Sequence, residues 1–440
     1  MSSSSTRILF FVFLTFLLAS GCLSPKLAPI SLPSEEHKTF AILNWADCVA
    51  LAEKDHPELL AGQEAVKQAQ AAFAGSFEGF LPNASSTFSR SRRQTDSANE
   101  TDSFSFATDI SEEWFSGFDN TADVLTARRN YRAEKFNYAD LQSRVAFELR
   151  QAFVRLLHAQ ELVVLRRSIA ERRKMNQDIV RLRYEAGREH RGSLKRAEAI
   201  YNEALFDVRQ AERSIIIERN ALLRELGGRY GTETAASGDL LIMIPPLPLV
   251  EPAFTEIAEK IPSVMRRKEL KESAGASVIK EQSDFWPSVT GSASLADSGN
   301  TARLDSRAWD MGLSVDIPIF NGGAELGDLI SARSGQREAF YTLKDVRDTA
   351  FADLIEKWAD FTGALEFVDV RKKYLEAAVD RAEITTIQYQ DGIVSFEDWD
   401  IIEQELVTSR IALLNAERDA VLAEADWFRS QGLSFDAYRA

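Results

Sequence analysis

The sequence repeats itself at one constant spacing, and this feature constrains the fold more than any other. Prolines, glycines and short motifs recur 205 residues apart through nearly the whole of residues 57–228 and 262–432. An ordered set of prolines and glycines at one spacing indicates a tandem duplication, because these residues mark turns and helix ends. The matching pairs include Pro57 and Pro262, Pro82 and Pro287, Phe115 and Phe320, Gly117 and Gly322, Tyr184 and Tyr389, Gly187 and Gly392, and Gly227 and Gly432.

The duplication defines the predicted domains. We assign residues 45–228 to the first repeat and residues 251–432 to the second. Residues 229–250 join them, and their Pro245-Pro246-Leu247-Pro248 run is typical of an extended linker. Residues 433–440 are left as a C-terminal tail.

Each repeat begins with a predicted helix and a pair of strands. In the first repeat, helix-forming residues run from about Trp45 to Phe80, and Pro82 ends the run. Apolar and polar residues then alternate, as they do in a half-buried strand. The predicted strands are about 83–92 and 103–110 in the first repeat, and about 288–296 and 308–319 in the second.

Two very long helices are predicted after the strand pairs. The stretches of about 120–184 and 325–390 contain no proline, and at 1.5 Å per residue each helix would be about 100 Å long. That length exceeds what a globular domain accommodates and indicates a coiled-coil or tunnel architecture. Turns at Tyr184, Gly187, Tyr389 and Gly392 then lead to predicted return helices, about 194–227 and 396–431.

The N-terminus indicates export. Arg7 precedes an apolar run from Ile8 to Leu18, and small residues follow it. This pattern is typical of a secretory signal peptide, which we place at residues 1–21, and the run is short for a membrane-spanning helix. A short anchor helix is the alternative.

The predicted strands require either other strands to pair with or a membrane to cover their apolar face. Strands in a bilayer must close into a barrel, because an open sheet edge leaves backbone groups without hydrogen bonds. Four strands per chain suggest closure by oligomerisation, and Trp114 and Trp309 near strand ends are typical of interfacial aromatic residues. A small soluble sandwich on a helical stalk is the alternative.

Several motifs together resemble the TolC family of bacterial outer-membrane efflux channels. The similarity includes the turn at the end of the fourth strand and the Tyr-x-x-Gly motif of each helical turn. The motifs are Trp45-Ala46-Asp47, Pro57-Glu58-Leu59, Phe80-Leu81-Pro82-Asn83, Ile317-Pro318-Ile319-Phe320-Asn321-Gly322-Gly323, and the turns at 184–187 and 389–392. The first repeat departs from the pattern, since Phe118 follows Gly117 where the second repeat has Gly322-Gly323. We assign the barrel-to-helix turns to Phe115, Gly117, Phe320, Gly322 and Gly323.

The resemblance implies a fold class, a function and a set of partners. The fold is an α+β membrane protein, in which a homotrimer closes a twelve-stranded transmembrane β-barrel in the outer membrane above a long α-helical tunnel through the periplasm. The implied function is the passive exit duct of a tripartite efflux or type I secretion system. Its implied partners are a periplasmic adaptor (membrane fusion) protein and an inner-membrane pump of the RND, ABC or MFS type. A lipid-anchored periplasmic coiled-coil scaffold or adaptor is the alternative.

The end of the signal peptide resembles the bacterial lipoprotein signal. Its residues are Leu18-Ala19-Ser20-Gly21-Cys22, which implies that Cys22 is lipidated and that residues 22–44 form a lipid-anchored segment.

No catalytic or metal site is expected, and no cofactor. The four histidines are scattered, and no nucleophile, P-loop or dinucleotide motif is present. Two cysteines cannot build a disulfide framework. The net charge of −15 argues against a nucleic-acid partner, which would require a basic face.

Charge differs strongly between the two helical halves. Residues 118–228 contain 22 Lys and Arg against 16 Asp and Glu, whereas residues 323–432 contain 12 against 23. We predict that oppositely charged hairpin ends attract each other and close the periplasmic entrance. The candidate gate residues are Arg181, Arg183, Arg188, Arg191, Asp391, Glu397 and Glu403. The alternative is that both sets are solvated helix ends.

A carboxylate ring is also predicted. In a trimer, an acidic side chain near the axis forms a ring of three, and carboxylate rings select cations. TolC-like channels carry such a ring just after the second turn, which the resemblance assigns to Asp398, with Asp400 as a second candidate.

Overall fold

The computed structural model describes residues 42–95, 98–227, 234–248, 250–301 and 304–438. The predicted signal peptide and Cys22 lie outside the described residues.

The described part of the chain is mostly helical. Its helices are α1 (Trp45–Asp55), α2 (Pro57–Gly75), α3 (Asp119–Glu185), α4 (Arg191–Glu225), α5 (Leu240–Met243), α6 (Phe254–Ala258), α7 (Pro262–Ser283), α8 (Ala324–Asp391) and α9 (Phe396–Ser430). Its strands are β1 (Ile42–Leu43), β2 (Asn83–Thr95), β3 (Ala98–Ser116), β4 (Ala235–Ala236), β5 (Ser288–Gly299) and β6 (Ser306–Asp316).

The first predicted helix is divided at Pro57. We expected one helix from about Trp45 to Phe80, but α1 ends at Asp55 and α2 begins at Pro57. His56 between them is extended, with φ −67° and ψ 120°. A proline disfavours the helical conformation of the residue before it and donates no backbone hydrogen bond, so it starts a helix better than it continues one.

The long helices and the return helices are confirmed. α3 and α8 contain 67 and 68 residues, or about 100 Å each. α3 and α8 begin 205 residues apart, and so do α4 and α9. α4 begins three residues before the expected 194, because the side chain of His190 accepts a hydrogen bond from the Ser193 backbone and caps the helix.

A four-stranded antiparallel sheet has the order β2-β3-β5-β6. β3 is much longer than the expected 103–110, because both of its edges are paired, with β2 and with β5. Much of 93–102, which separates the two predicted strands, is therefore strand. β2 and β5 extend past the expected 92 and 296, and β6 spans Ser306–Asp316 rather than 308–319. Pro318, which has no backbone N–H to donate, follows the end of β6.

The two faces of this sheet differ in polarity, as the alternation predicts. Pairing in register places the large apolar side chains on one face, which we call the apolar face, and a series of serine and aspartate side chains on the other, the polar face. The apolar face carries Phe88, Phe104, Phe106, Ile110, Leu295, Trp309, Met311, Leu313 and Val315. The polar face carries Ser89, Ser91, Ser103, Ser105, Asp109, Ser292, Ser294, Asp310 and Ser314.

The strand-to-helix turns use left-handed backbone conformations in both halves. Gly322 and Gly323 have φ of 73° and 83°, and Gly117 has φ of 64°. Phe118 takes the place of the second glycine and still adopts φ 77°, which is uncommon for a residue with a side chain. Its ring packs edge-to-face on Trp286, with ring centroids 6.2 Å apart. Phe115, predicted as part of this turn, lies within β3 instead.

The main core joins the two ends of the described chain to the middle of α3. It includes residues from α1, α3, α4 and α9. The predicted tail belongs to it, since Phe435 and Tyr438 are buried in a final short helix. The predicted linker also contains structure, because β4 pairs with β1 in parallel and α5 follows it. The C-terminal tail and the linker therefore pack against the helices that form this core.

Candidate functional site

The ends of the two helical hairpins meet within one chain. The first turn follows α3 and contains Tyr184 and Gly187, and the second follows α8 and contains Tyr389 and Gly392. Both glycines have positive φ, 70° and 81°, which is the usual conformation just after a helix. A small core at these ends contains buried residues from both hairpins: Val180, Ala197, Tyr389, Phe396 and Trp399.

The two turn tyrosines differ. Tyr184 is exposed, whereas Tyr389 is fully buried and stacks on Trp399 with ring centroids 4.4 Å apart. The Tyr389 hydroxyl donates a hydrogen bond of 2.9 Å to Glu189 of the first turn. Burial and this hydrogen bond raise the pKa of Tyr389 above its usual value. Tyr389 therefore acts as an uncharged link between the two hairpins.

Glu403 is the most enclosed carboxylate of the predicted gate set. It has no exposed surface, and Arg172 of α3 donates two hydrogen bonds to it, of 2.8 and 2.6 Å. Asn176, also on α3, donates a third at 2.7 Å. Burial by itself would raise the pKa of Glu403, but these hydrogen bonds and the nearby arginine charges outweigh it and lower that pKa. Glu403 is thus a charged group bound across the two hairpins.

Asp400 belongs to the same interface. It is 7% exposed, and its carboxylate lies 2.9 Å from Arg196 of α4 and 3.7 Å from Arg173 of α3. Asp400 therefore binds arginines of its own chain.

Arg183 reaches from the first hairpin to the end of α8. It donates hydrogen bonds to the backbone carbonyls of Tyr389 and Gln390, at 2.5 and 3.0 Å. Its guanidinium also lies 4.6 Å from the centroid of the Tyr389 ring. Since the last carbonyls of a helix have no partner within the helix, a cation here satisfies them and opposes the negative end of the helix dipole.

The other predicted gate residues do not join this interface. Arg181 lies 4.0 Å from Asp178 on its own helix. Arg188, Arg191, Asp391 and Glu397 are exposed.

Asp398 has a local role at the start of α9. Its backbone N–H donates to the Ser395 hydroxyl, and that hydroxyl donates to the Asp398 carboxylate at 2.8 Å. Asp398 is exposed. The structure thus separates the two predicted ring residues, with Asp400 enclosed and Asp398 at the surface.

The carboxylates of the second hairpin bind Arg172, Arg173 and Arg196, none of which is in the candidate gate set. Arg172 and Arg173 lie about three turns from the helix end. Spacing offered a signal that the prediction did not use. Arg172 and Asn176 are four residues apart and Asp400 and Glu403 three apart, so each pair shares one helix face.

The described residues contain neither a candidate metal site nor a candidate membrane-spanning helix. No group of three or more His, Cys, Asp or Glu side chains is arranged to hold a metal ion there. Among the same residues, no helix combines the length and the apolar composition needed to cross a membrane.

Known proteins resemble this chain over most of its length. The sequence model of the family described as outer membrane efflux protein matches residues 49–228 and 259–432. The outer membrane efflux protein BepC of Brucella suis is 21% identical over 350 residues, which cover 78% of this chain and 75% of BepC. The cation efflux system protein CusC of Escherichia coli K12 is 22% identical over 231 residues, about half of each chain.

Solved structures share the fold. A crystal structure of CusC superimposes with a TM-score of 0.81 at 18% identity, covering 89% of this chain and 92% of that one. The open state of the Neisseria gonorrhoeae MtrE outer membrane channel gives a TM-score of 0.76 at 19% identity, covering 89% of each chain.

Proposed function

Because this chain belongs to the outer membrane efflux protein family, we propose that it is the exit duct of a tripartite efflux or type I secretion system. It conducts substrates passively from a periplasmic adaptor and an inner-membrane pump across the periplasm and the outer membrane. The observation that carries the proposal is a sheet with one apolar face, joined directly to helices about 100 Å long. The family is one of transport proteins rather than enzymes.

The proposed assembly is a homotrimer with a twelve-stranded barrel. β2 and β6 are the edge strands of the four-stranded sheet. A sheet that enters a membrane must have its edges paired. Pairing β6 of one chain with β2 of the next satisfies this requirement. The exposed apolar side chains of β6, which include Trp309, Met311 and Leu313, then face lipid.

α8 supports the same assembly below the barrel. It has a series of large apolar side chains that stay exposed in the described part of the chain: Leu326, Ile330, Phe340, Tyr341, Ile355, Tyr374, Ile384 and Ile387. A neighbouring protomer would bury part of this surface, and apolar burial contributes about 25 cal/mol per Å².

The proposed periplasmic gate is the contact between the hairpin ends. Glu403 and Asp400 hold the second hairpin against α3 and α4, and Arg183 holds the end of α8. In this closed arrangement the exposed carboxylate of Asp398 is the candidate for a ring of three that favours cations.

Single-channel recording in planar bilayers tests the duct and the ring. We expect purified protein to form cation-preferring channels and Asp398→Ala to reduce that preference. Glu397→Ala, an exposed carboxylate next in sequence, is the matched control. If Asp398→Ala combined with Asp400→Ala changes neither conductance nor ion preference, the ring is disproved. If the wild-type protein forms no channel, the exit-duct proposal itself fails.

We also propose that Cys22 is lipidated and anchors the mature protein in the outer membrane. Cells fed radiolabelled palmitate should label the wild-type protein, and Cys22→Ser should lose the label because it has no thiol to acylate. Cys48→Ser is the control, since the Cys48 thiol is buried and burial raises its pKa to about 12, which keeps it unreactive. Palmitate that remains on Cys22→Ser would contradict the proposal.

A further inference from the structure

Arginines lie on the apolar face of the sheet at the end opposite the long helices. Arg90 and Arg92 are on β2 and Arg307 is on β6, close to the connections between paired strands. The register places Arg92 opposite Asp102 and Arg307 opposite Asp297. All three arginines are on the same face as Phe88 and Trp309. We call these three residues the arginine row.

The arginine row borders an apolar band of membrane thickness. Along β6 and the segment after it, exposed apolar side chains recur at every second position from Trp309 to Ile319. Ten residues of extended chain span about 33 Å, and a strand tilt of about 40° reduces this to a height of about 25 Å. Arg307 comes directly beyond Trp309, so it lies where the hydrocarbon ends and the headgroups begin.

The guanidiniums are held in place and remain accessible. Arg92 donates hydrogen bonds of 2.9 and 3.2 Å to Asp102, and Arg90 donates a weaker one of 3.4 Å to the same carboxylate. Arg307 donates two to Asp297, of 2.7 and 2.9 Å. The three arginine side chains are still 52–57% exposed. Arg90 also lies over the Phe104 ring, 5.3 Å from its centroid.

We propose that the arginine row binds the phosphate groups of lipid headgroups in the outer leaflet of the outer membrane. This inference rests on the proposed function, which places the sheet in that membrane. Guanidinium presents a planar fork of donors that matches phosphate oxygens, and charge-assisted hydrogen bonds of this kind are about twice as strong as neutral ones. Arg90 and Arg92 share the Asp102 carboxylate, and Arg307 binds Asp297.

The three arginines lie on β2 and β6, the two edge strands of the sheet. In the proposed trimer, β2 of one chain pairs with β6 of the next, so Arg90 and Arg92 come close to Arg307 of the neighbouring copy. Three guanidiniums would then line each junction between protomers. A lipid phosphate bound there contacts two chains and holds them together.

The test compares two forms of one lipid on the full-length protein purified in detergent. The probes are lipid A with both phosphates, lipid A with its phosphates removed, and inorganic phosphate, and binding is measured by native mass spectrometry. We expect the wild-type protein to bind the phosphorylated lipid about tenfold more tightly than the dephosphorylated one, because only the former offers charge-assisted acceptors. Inorganic phosphate should not compete at equal concentration, since the lipid chains also contact the apolar band.

The variant Arg90→Gln/Arg92→Gln/Arg307→Gln should lose the preference for the phosphorylated lipid. Arg93→Gln is the matched control, because Arg93 is next to Arg92 on the same strand but on the polar face. Arg90→Gln alone leaves the two-bond pairs of Arg92 with Asp102 and of Arg307 with Asp297 in place, so it should fold and still weaken binding several-fold.

Equal binding of both lipids by the wild-type protein overturns the inference. So does a preference for the phosphorylated lipid that is unchanged in the triple variant or in Arg90→Gln. Full competition by inorganic phosphate also overturns it, because it indicates a free-phosphate site. Channel recording separates this failure from a failure of the proposed function. Normal channels with no lipid preference reject only the arginine row, whereas absence of channels in the wild-type protein rejects the exit duct.

Discussion

We expect replacement of Glu403 by alanine to release the second hairpin from the first and to open the proposed periplasmic gate of the channel. The change removes the acceptor of two hydrogen bonds from Arg172 and one from Asn176. Breaking a buried ion pair by removing one partner costs about 3–5 kcal/mol, which corresponds to more than a hundredfold change in an equilibrium. In planar bilayers, Glu403→Ala should spend far more time in a high-conductance state than the wild-type protein.

An exposed ion pair on the same helices provides the control. Glu405 accepts hydrogen bonds from Arg381, the shorter at 2.7 Å, and both side chains are largely exposed. Exposed pairs contribute about 0–1 kcal/mol, so Glu405→Ala should leave channel opening nearly unchanged. Equal behaviour of Glu403→Ala and Glu405→Ala would show that the buried contact does not hold the channel closed.

The pH dependence of the Glu403 contact follows from its lowered pKa. A carboxylate with a depressed pKa in the folded state stabilises that state above its usual pKa of about 4.3, and the contribution is lost as the pH falls through the depressed value. The contact should therefore hold from pH 7 to pH 5. Recordings across this range should show no opening that depends on Glu403, whereas opening near pH 6 that Glu403→Ala abolishes would contradict the assignment.

Replacement of Arg150 by alanine destabilises the core that joins the two ends of the described chain. Arg150 is 7% exposed, lies 3.6 Å from Glu424 of α9, and lies 5.0 and 5.7 Å from the ring centroids of Trp45 and Tyr438. Its loss leaves the Glu424 carboxylate, 13% exposed, without its cation and two rings without their cation–π partner, so we expect a loss of about 3–5 kcal/mol. Urea unfolding followed by tryptophan fluorescence measures this loss.

Two further variants show whether charge burial causes the effect. Arg155 is exposed and lies on the same helix, 3.4 Å from Gln151, so Arg155→Ala should change the free energy of unfolding by less than about 0.5 kcal/mol. Arg150→Met combined with Glu424→Leu replaces the pair by apolar groups and should recover most of the stability. If the double replacement is as unstable as Arg150→Ala, the loss does not come from an uncompensated carboxylate.

The helices were predictable because their signals are local. Long stretches without proline between left-handed glycine turns predicted α3 and α8 to within one residue. The alternation of apolar and polar residues predicted which side chains share a sheet face, since side chains of a strand alternate whatever it pairs with. The length of β3 was not predictable in the same way, because it depends on pairing with two other strands.

The hairpin contacts were only partly predictable. The charge difference between the two halves indicated that they attract, and Glu403 and Arg183 were among the predicted residues. The partners of Glu403 were missed because they lie about 230 residues away in sequence. Arg150 was missed for the same reason, since an arginine in a charged helix indicates solvent exposure unless the rings of Trp45 and Tyr438 are known to cover it.

The sequence by itself determined the order of the main helices and strands, the length of the two long helices and the side chains that share each sheet face, since backbone conformation and side-chain alternation depend on neighbouring residues. Only the tertiary structure decided which charges are buried together, that Asp400 is enclosed while Asp398 is exposed, and that the tail and linker belong to a core. Those features depend on contacts between distant residues, and their energies come from the removal of water around each pair, which no local pattern records.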